Sequence, residues 1–145
     1  MKTNYNEMIS NIIDNFDYNK VLGPVEFYGI DGNKLECKVE GDWKHAHKNF
    51  ENQLRYQANK FGYDIELIKC KTLYENGDYY EAEKVYKFFK MELTTTSIEV
   101  IDKLIKILTE QYRKAWEEQS FSKECDELEQ RLDKLYSQKV YLENK

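Results

Sequence analysis

Both histidines of the chain lie close to an aspartate in one short segment, DWKHAH, at residues 42–47. Carboxylate and imidazole groups are common metal ligands and general bases, so Asp42, His45 and His47 are candidates for the metal centre of a hydrolase. On a helix, however, residues two apart point about 200° away from each other and cannot reach one ion. We therefore expect His47 to be a hydrogen-bonded core residue, His45 to be solvated, and neither a metal nor another cofactor to be bound.

Aromatic and lysine side chains are concentrated between residues 74 and 90. If this stretch is a strand, alternate side chains could stack on single-stranded nucleic acid or bind a protein partner; the alternative is that half of them face the core. Acidic residues outnumber basic ones by 27 to 22, so no continuous basic surface is available for a phosphate backbone, and a protein partner is favoured. The predicted partner-binding residues are Tyr74, Tyr79, Tyr80, Lys84, Tyr86, Lys87 and Phe88.

No other group of residues has the spacing of a known reactive or metal site. The three cysteines, Cys37, Cys70 and Cys125, are far apart in the chain and form no C-x-x-C pair, so we interpret them as small buried apolar residues. The sequence also contains no glycine-rich phosphate loop and no nucleophile motif. These features predict a protein without enzymatic activity.

Two helices are predicted in the first half of the chain. Apolar residues at helical spacing indicate one helix over residues 4–16 and another over residues 43–61. The second helix would have an inward stripe that begins at Trp43, includes His47 and ends at Phe61. This helix would therefore carry the DWKHAH segment in its first turns.

Strands with one buried face are predicted around these helices. Period-two alternation indicates a hairpin between residues 21 and 40 and a third strand over residues 63–70. Residues 79–91 fit a strand or a helix about equally well, and we favour a fourth strand because it would complete a small sheet. The predicted fold class is therefore α+β, with a small, mainly antiparallel sheet and packed helices.

The rest of the chain is predicted to be helical, because all six glycines and the single proline precede residue 78. Two apolar ladders run through it at spacings of three and four, and the phase changes around residues 119–122. We expect residues 1–92 to form the α+β unit and residues 93–145 to form a helical hairpin that extends the same compact domain, with one long bent helix as the alternative. The second ladder begins at Phe121, and the ladders also predict self-association as a homodimer through Ile101, Ile105, Leu108, Leu128 and Leu132.

The segment at residues 42–47 also carries a resemblance, together with the segment NGDYYEA at residues 76–82. The pair is similar to a small uncharacterised family of phage and bacterial proteins that have a D-W-K-H-x-H motif followed by an N-G-S-D-x-Y-x-A motif. The chain lacks the serine of the second motif and adds the helical tail, so the resemblance covers residues 21–91. It implies a mobile-element origin and supplies no known activity or catalytic residues.

The composition argues against a membrane protein, because no stretch approaches the ~20 apolar residues of a bilayer span. Residues 1–5 lack the features of a signal peptide, which predicts a cytoplasmic location. The predicted function is a non-enzymatic protein-binding module of a phage or mobile element that inhibits a host defence complex by occupying its surface. The alternative is a small single-stranded nucleic-acid-binding protein that would use Lys84, Lys87 and Lys90.

Overall fold

The protein has the predicted α+β fold, seen in a computed structural model that describes residues 4–120 and 122–145 as four strands and four α-helices. The chain divides into two compact units, one ending at Lys90 and one running from Met91 to Lys145. The first unit contains α1 (Tyr5–Asp14), a 3₁₀ turn (Tyr18–Lys20), β1 (Val25–Asp31), β2 (Lys34–Asp42), a π turn (Trp43–His47), α2 (Lys48–Lys60), β3 (Tyr63–Asn76) and β4 (Tyr79–Lys90).

The four strands form one antiparallel sheet in the order β1-β2-β4-β3. Side chains alternate along each strand, and the apolar face of the sheet is buried in one core with α1 and α2. The largest fully buried side chains of this core include Ile9, Ile12, Leu35, Val39, Phe50, Leu54, Tyr86 and Phe88. Residues 79–90 are therefore a strand, as favoured from the sequence, and they are buried between two neighbouring strands.

The third strand has 14 residues and continues six residues beyond the predicted end at residue 70, and two β-bulges explain the difference. The register of β3 against β4 shifts between Leu67 and Lys69 and again between Thr72 and Tyr74. Each bulge inserts one unpaired residue and reverses which side chains face the core, so the period-two pattern is interrupted. The sequence pattern was consequently lost after residue 70, although the strand continues to Asn76.

The helix predicted over residues 43–61 is wrong at both ends. Residues Trp43 to His47 form a π turn, and the α-helix begins at Lys48. Because a π turn has more residues per turn than an α-helix, it changes the phase of the inward stripe. Trp43 is 54% exposed as a result, and Phe61, which follows the end of the helix, is also exposed.

The second unit is a helical hairpin made of α3 (Ile98–Glu118) and α4 (Lys123–Glu143), so the alternative of one long helix is wrong. Ser97 and Ser122 cap the two helices, their hydroxyl oxygens accepting from the N–H groups of Val100 and Cys125. Phe121, where the second ladder was predicted to begin, lies outside the described residues. The buried residues shared by the two helices are Ile101, Leu108, Ala115, Cys125, Leu128, Leu132 and Leu135.

This buried set corrects the prediction of self-association. Four of the five residues predicted to join two copies are buried between α3 and α4 of the same chain, and the fifth packs against them. Ladders at heptad spacing predict that helices pair, but they do not show whether the pair forms between two copies or within one chain. The short connection between α3 and α4 allows the two helices of one chain to pair. The residues concerned are Ile101, Ile105, Leu108, Leu128 and Leu132. Among the described residues, no helix has the length and apolar character needed to cross a membrane.

Candidate functional site

Asp42 and His45 form a capping pair at the start of the π turn. One carboxylate oxygen of Asp42 accepts from the backbone N–H of His45 at 3.1 Å, and the other lies 2.7 Å from Nδ1 of the same residue. The hydrogen bond from the His45 side chain lowers the pKa of Asp42. The His45 side chain is exposed and the Asp42 side chain is half-buried, so this is an N-cap near the surface of the kind that commonly begins a helix.

His47 is a core residue, as predicted, and it points away from this pair. Its side chain is fully buried, its Nε2 donates to the carbonyl oxygen of Tyr80 at 3.0 Å, and its ring stacks on the Tyr80 ring at 3.7 Å. Burial lowers the pKa of His47, which favours the neutral imidazole. In the neutral ring, Nδ1 is the acceptor, and it has no hydrogen-bond partner.

The three residues therefore do not form the metal centre considered from the sequence. The ring nitrogens of His45 and His47 face different partners, the first Asp42 and the second a β4 carbonyl. In residues 4–120 and 122–145, no three histidine, cysteine or acidic side chains are grouped so that they could hold a metal ion. We accordingly do not propose the metal-dependent hydrolase.

The two motif segments, separated by about thirty residues of sequence, meet in space. Asp42 at the end of β2 pairs with Tyr79 at the start of β4, and the Tyr79 hydroxyl donates to Glu40 at 3.3 Å. His47 of the first segment rests on Tyr80 of the second. Most of the motif residues thus have structural roles where the end of β2 and the start of β4 contact the π turn. We call this contact between residues 40–47 and residues 79–80 the motif joint.

A close backbone contact explains the small residues beside this joint. Gly41 has a φ of 137°, and a Cβ atom placed on it would overlap the Cβ of Ala46. A larger residue at either position would therefore separate the π turn from β2. Trp43 and Lys44 of the same motif are exposed.

The predicted partner-binding residues are divided between the two faces of β4. Tyr86 and Phe88 are fully buried in the core, and Lys84 is only 2% exposed. Tyr80 is partly covered by His47. The prediction is therefore wrong for Tyr86, Phe88 and Lys84, because alternate residues of a strand face the helices that cover it, whereas Tyr80 remains partly exposed.

The other three predicted residues are exposed. Tyr74 and Tyr79 face each other across the β3–β4 turn, with ring centroids 6.2 Å apart in an edge-on arrangement. Lys87 is also exposed. The turn between the two strands contains Gly77 at a φ of 62°, a conformation that favours glycine.

An exposed strand of the first unit that bears apolar side chains was only partly predicted. Every residue of β3 from Glu66 to Asn76 is exposed, and this stretch contains large apolar side chains. Since β3 is an edge strand, its outer backbone groups have no neighbouring strand. The signal in the sequence was the run of apolar residues after Ile65, but it did not show that the strand would be at an edge. We call this the β3 edge surface: Leu67, Ile68, Leu73 and Tyr74.

A second group surrounds Lys84 on the helix-facing side of the sheet. Lys84 pairs with Cys37 of β2 on one side and with Cys70 of β3 on the other. Cys37 is buried, and its thiol donates to the Lys84 carbonyl oxygen at 3.6 Å; burial raises its pKa to about 12. Cys70 is exposed, so the prediction that all three cysteines are buried is wrong for this one.

Buried polar atoms accompany this lysine. Burial lowers the pKa of Lys84, and the face of Trp43 lies 5.8 Å from its Nζ. The hydroxyl of Tyr86, two residues further along β4, is also buried, and burial raises its pKa. The helix-facing side of β4 thus has a buried amine, that of Lys84, paired across the strands with the exposed thiol of Cys70.

Comparison of the chain with known protein families, with curated protein sequences and with solved structures finds no match.

Proposed function

We propose that this chain is a non-enzymatic protein-binding module and that its contact surface is the β3 edge surface with the adjoining Tyr74–Tyr79 pair. One observation carries the proposal: a long edge strand is exposed over its whole outer part while it bears large apolar side chains. Exposed apolar patches of this kind commonly mark interaction sites. The proposal replaces the predicted contact surface on β4.

The backbone of β3 supports binding by strand addition. An edge strand offers its outer N–H and C=O groups to an extended segment of another protein, and side chains on alternate positions provide specificity. The other edge strand, β1, is half as long as β3. A partner strand would therefore gain more backbone hydrogen bonds at β3.

The charges and bulges of β3 favour a selective partner over indiscriminate pairing. Lys69 and Lys71 lie in the middle of the exposed stretch, and the two bulges interrupt its edge. Lysines and bulges at sheet edges prevent uncontrolled edge-to-edge association. A partner with an acidic or neutral extended segment fits this surface best.

The sequence resemblance suggests what kind of partner this is. A mobile-element accessory protein without catalytic residues acts by covering a surface of a host protein or complex. We propose this role, inhibition of a host defence complex by surface occupation, for the chain. Single-stranded nucleic acid is the less favoured ligand, because Lys84 and two of the aromatic residues that would have bound it are buried.

Affinity capture from the host cell with two matched variants tests the proposal. Leu73 is the unpaired residue of a bulge and is exposed, so Leu73→Glu should disrupt binding without disturbing the core. Ile107→Glu places the same charge on an exposed position of α3 as the control. We expect a partner that the wild-type chain and the control capture and that Leu73→Glu loses.

Two results of these experiments would contradict the proposal. Capture of the same protein by all three forms would contradict the β3 edge surface as the contact site. Binding of the wild-type chain to oligonucleotides, with an affinity that falls steeply as salt rises, would support the nucleic-acid function instead.

A further inference from the structure

We propose that Cys70 and Lys84 are a modification site, at which oxidation of the thiol by hydrogen peroxide leads to a covalent bond between the two side chains. The inference is independent of the proposed function, since it rests on the group around Lys84 and not on a partner.

The strand register places the two residues side by side. Cys70 on β3 and Lys84 on β4 are cross-strand partners, so their side chains leave the same face of the sheet. The Cβ atoms of such partners are about 4.5–5.5 Å apart. Cys70 is exposed and open to a small oxidant, whereas Lys84 is 2% exposed.

The lysine amine has no ion-pair partner among the described residues, and no hydrogen bond involves its Nζ there. Its Nζ lies over the face of the Trp43 ring, 5.8 Å from the ring centroid. Cys70 and Glu51 lie close enough to act on the amine, Cys70 more strongly, and both raise the pKa of Lys84. Burial lowers the pKa of Lys84, which increases the share of the free amine at neutral pH.

The chemistry requires one molecule of peroxide. The Cys70 thiolate attacks a peroxide oxygen, the O–O bond breaks, and the products are a sulfenic acid and water after proton uptake. The lone pair of the Lys84 amine then attacks the sulfur, the S–O bond breaks, and the hydroxyl leaves as a second water with a proton from the nitrogen. Sulfur loses two electrons, peroxide gains them, and an S–N bond remains.

The second cysteine beside Lys84 provides an internal comparison. Cys37 pairs with the same lysine from the opposite side, but it is buried and burial raises its pKa to about 12. Because the thiolate is the reactive form, Cys37 stays protonated and unreactive. The bond is therefore expected at Cys70 only.

Peptide mass spectrometry of the full-length chain after peroxide treatment tests the site. We expect a linked pair of peptides containing Cys70 and Lys84, about 2 Da lighter than the reduced pair and separated again by dithiothreitol. The link should be absent in Cys70→Ser and Lys84→Arg and retained in Lys71→Arg, which removes the neighbouring exposed lysine amine.

Fragmentation of the wild-type peptides identifies the linked residues even if Lys84→Arg fails to fold. A link from Cys70 to Lys69 or Lys71 would overturn the assignment. Oxidation of Cys70 to sulfinic or sulfonic acid without any link would overturn the proposal, as would a disulfide between two chains.

Discussion

Gly41 occupies a position where the backbone and the packing both require glycine. Its φ of 137° is rarely adopted by other residues, and an added Cβ would overlap Ala46 of the π turn. We expect Gly41→Ala to reduce the free energy of unfolding of the first unit by about 2–4 kcal/mol. Urea unfolding followed by Trp43 fluorescence, in a Trp116→Phe background, measures this change.

Gly29 is the matched control for this prediction. It also lies in a strand, but no atom lies within 4 Å of the place where its Cβ would be. Gly29→Ala should change stability by less than about 0.5 kcal/mol. Equal effects of the two substitutions would contradict the close contact at Gly41.

His47 should make the stability of the first unit depend on pH. Burial lowers its pKa in the folded state below the ordinary value of 6.5, so the unfolded chain takes up the proton more readily. The stabilisation is complete above pH 6.5 and is lost progressively as the pH falls towards the lowered pKa of the folded state. Urea unfolding at a series of pH values between about 5.5 and 7.5 measures this loss.

The substitution His47→Gln should flatten this dependence, because it removes the group whose protonation differs between the two states. His45→Gln is the control, since it removes the other histidine, which lies on the surface. An unchanged slope in His47→Gln would show that another group is responsible.

At the level of single residues, the sequence predicted burial at some positions and not at others. The core position of His47 followed from its spacing to Phe50 along the helix. The exposure of Trp43 did not follow, because nothing in the sequence indicated a π turn. Likewise, Cys37 and Cys70 looked alike, and only the order of the strands places one at the centre of the sheet and the other at its edge.

The helical hairpin depends on the seam between α3 and α4, and two neighbouring residues show this. Leu108 is buried in the seam, while Ile107 is 53% exposed. We expect Leu108→Ala to destabilise the second unit by about 2–4 kcal/mol, because it removes buried methyl groups and leaves a cavity. Trp116 fluorescence during urea unfolding, in a Trp43→Phe background, reports this unit.

Ile107→Ala should alter the same transition by less than about 1 kcal/mol. Comparable losses from both substitutions would mean that Ile107 also lies in an apolar contact, for example with a second copy of the chain. Sedimentation of the wild-type protein at micromolar concentration would then show whether such a copy is bound.

For whole elements, the sequence was informative where one pattern persisted over many residues. The ladders of the tail run through five turns, and the absence of glycine and proline left helices as the simple interpretation. In residues 79–90 the pattern was ambiguous, because a strand buried between two others has apolar residues at both kinds of spacing. The bulges of β3 interrupted the alternation of its side chains, so the sequence did not show where the strand ends. Its full length is seen only from its pairing with β4.

At the scale of the whole molecule, the segment between Met91 and Ser97 connects the two units without a helix or strand. It is held to its own unit by Gln138, whose Oε1 accepts from the Thr94 N–H at 2.7 Å and whose Nε2 donates to the Thr94 hydroxyl at 3.3 Å. Gln138→Ala should free this segment and increase the rate of cleavage after Glu92 by a glutamate-specific protease.

Tyr136→Ala is the control, because Tyr136 is an exposed residue of the same helix. Its cleavage rate should match that of the wild-type chain. Equal rates in all three proteins would show that the hydrogen bonds of Gln138 do not restrain the connecting segment. Gel electrophoresis of the two fragments over time is sufficient for this measurement.

The order of the units along the chain affects how the protein is made. The four strands that the structure describes all precede Met91, so the ribosome completes the sheet before it begins the helical hairpin. At about 5–20 residues per second, translation of the remaining residues takes several seconds. Small domains commonly fold within this time, so β3 and β4 can pair in the nascent chain while the hairpin is still being synthesised.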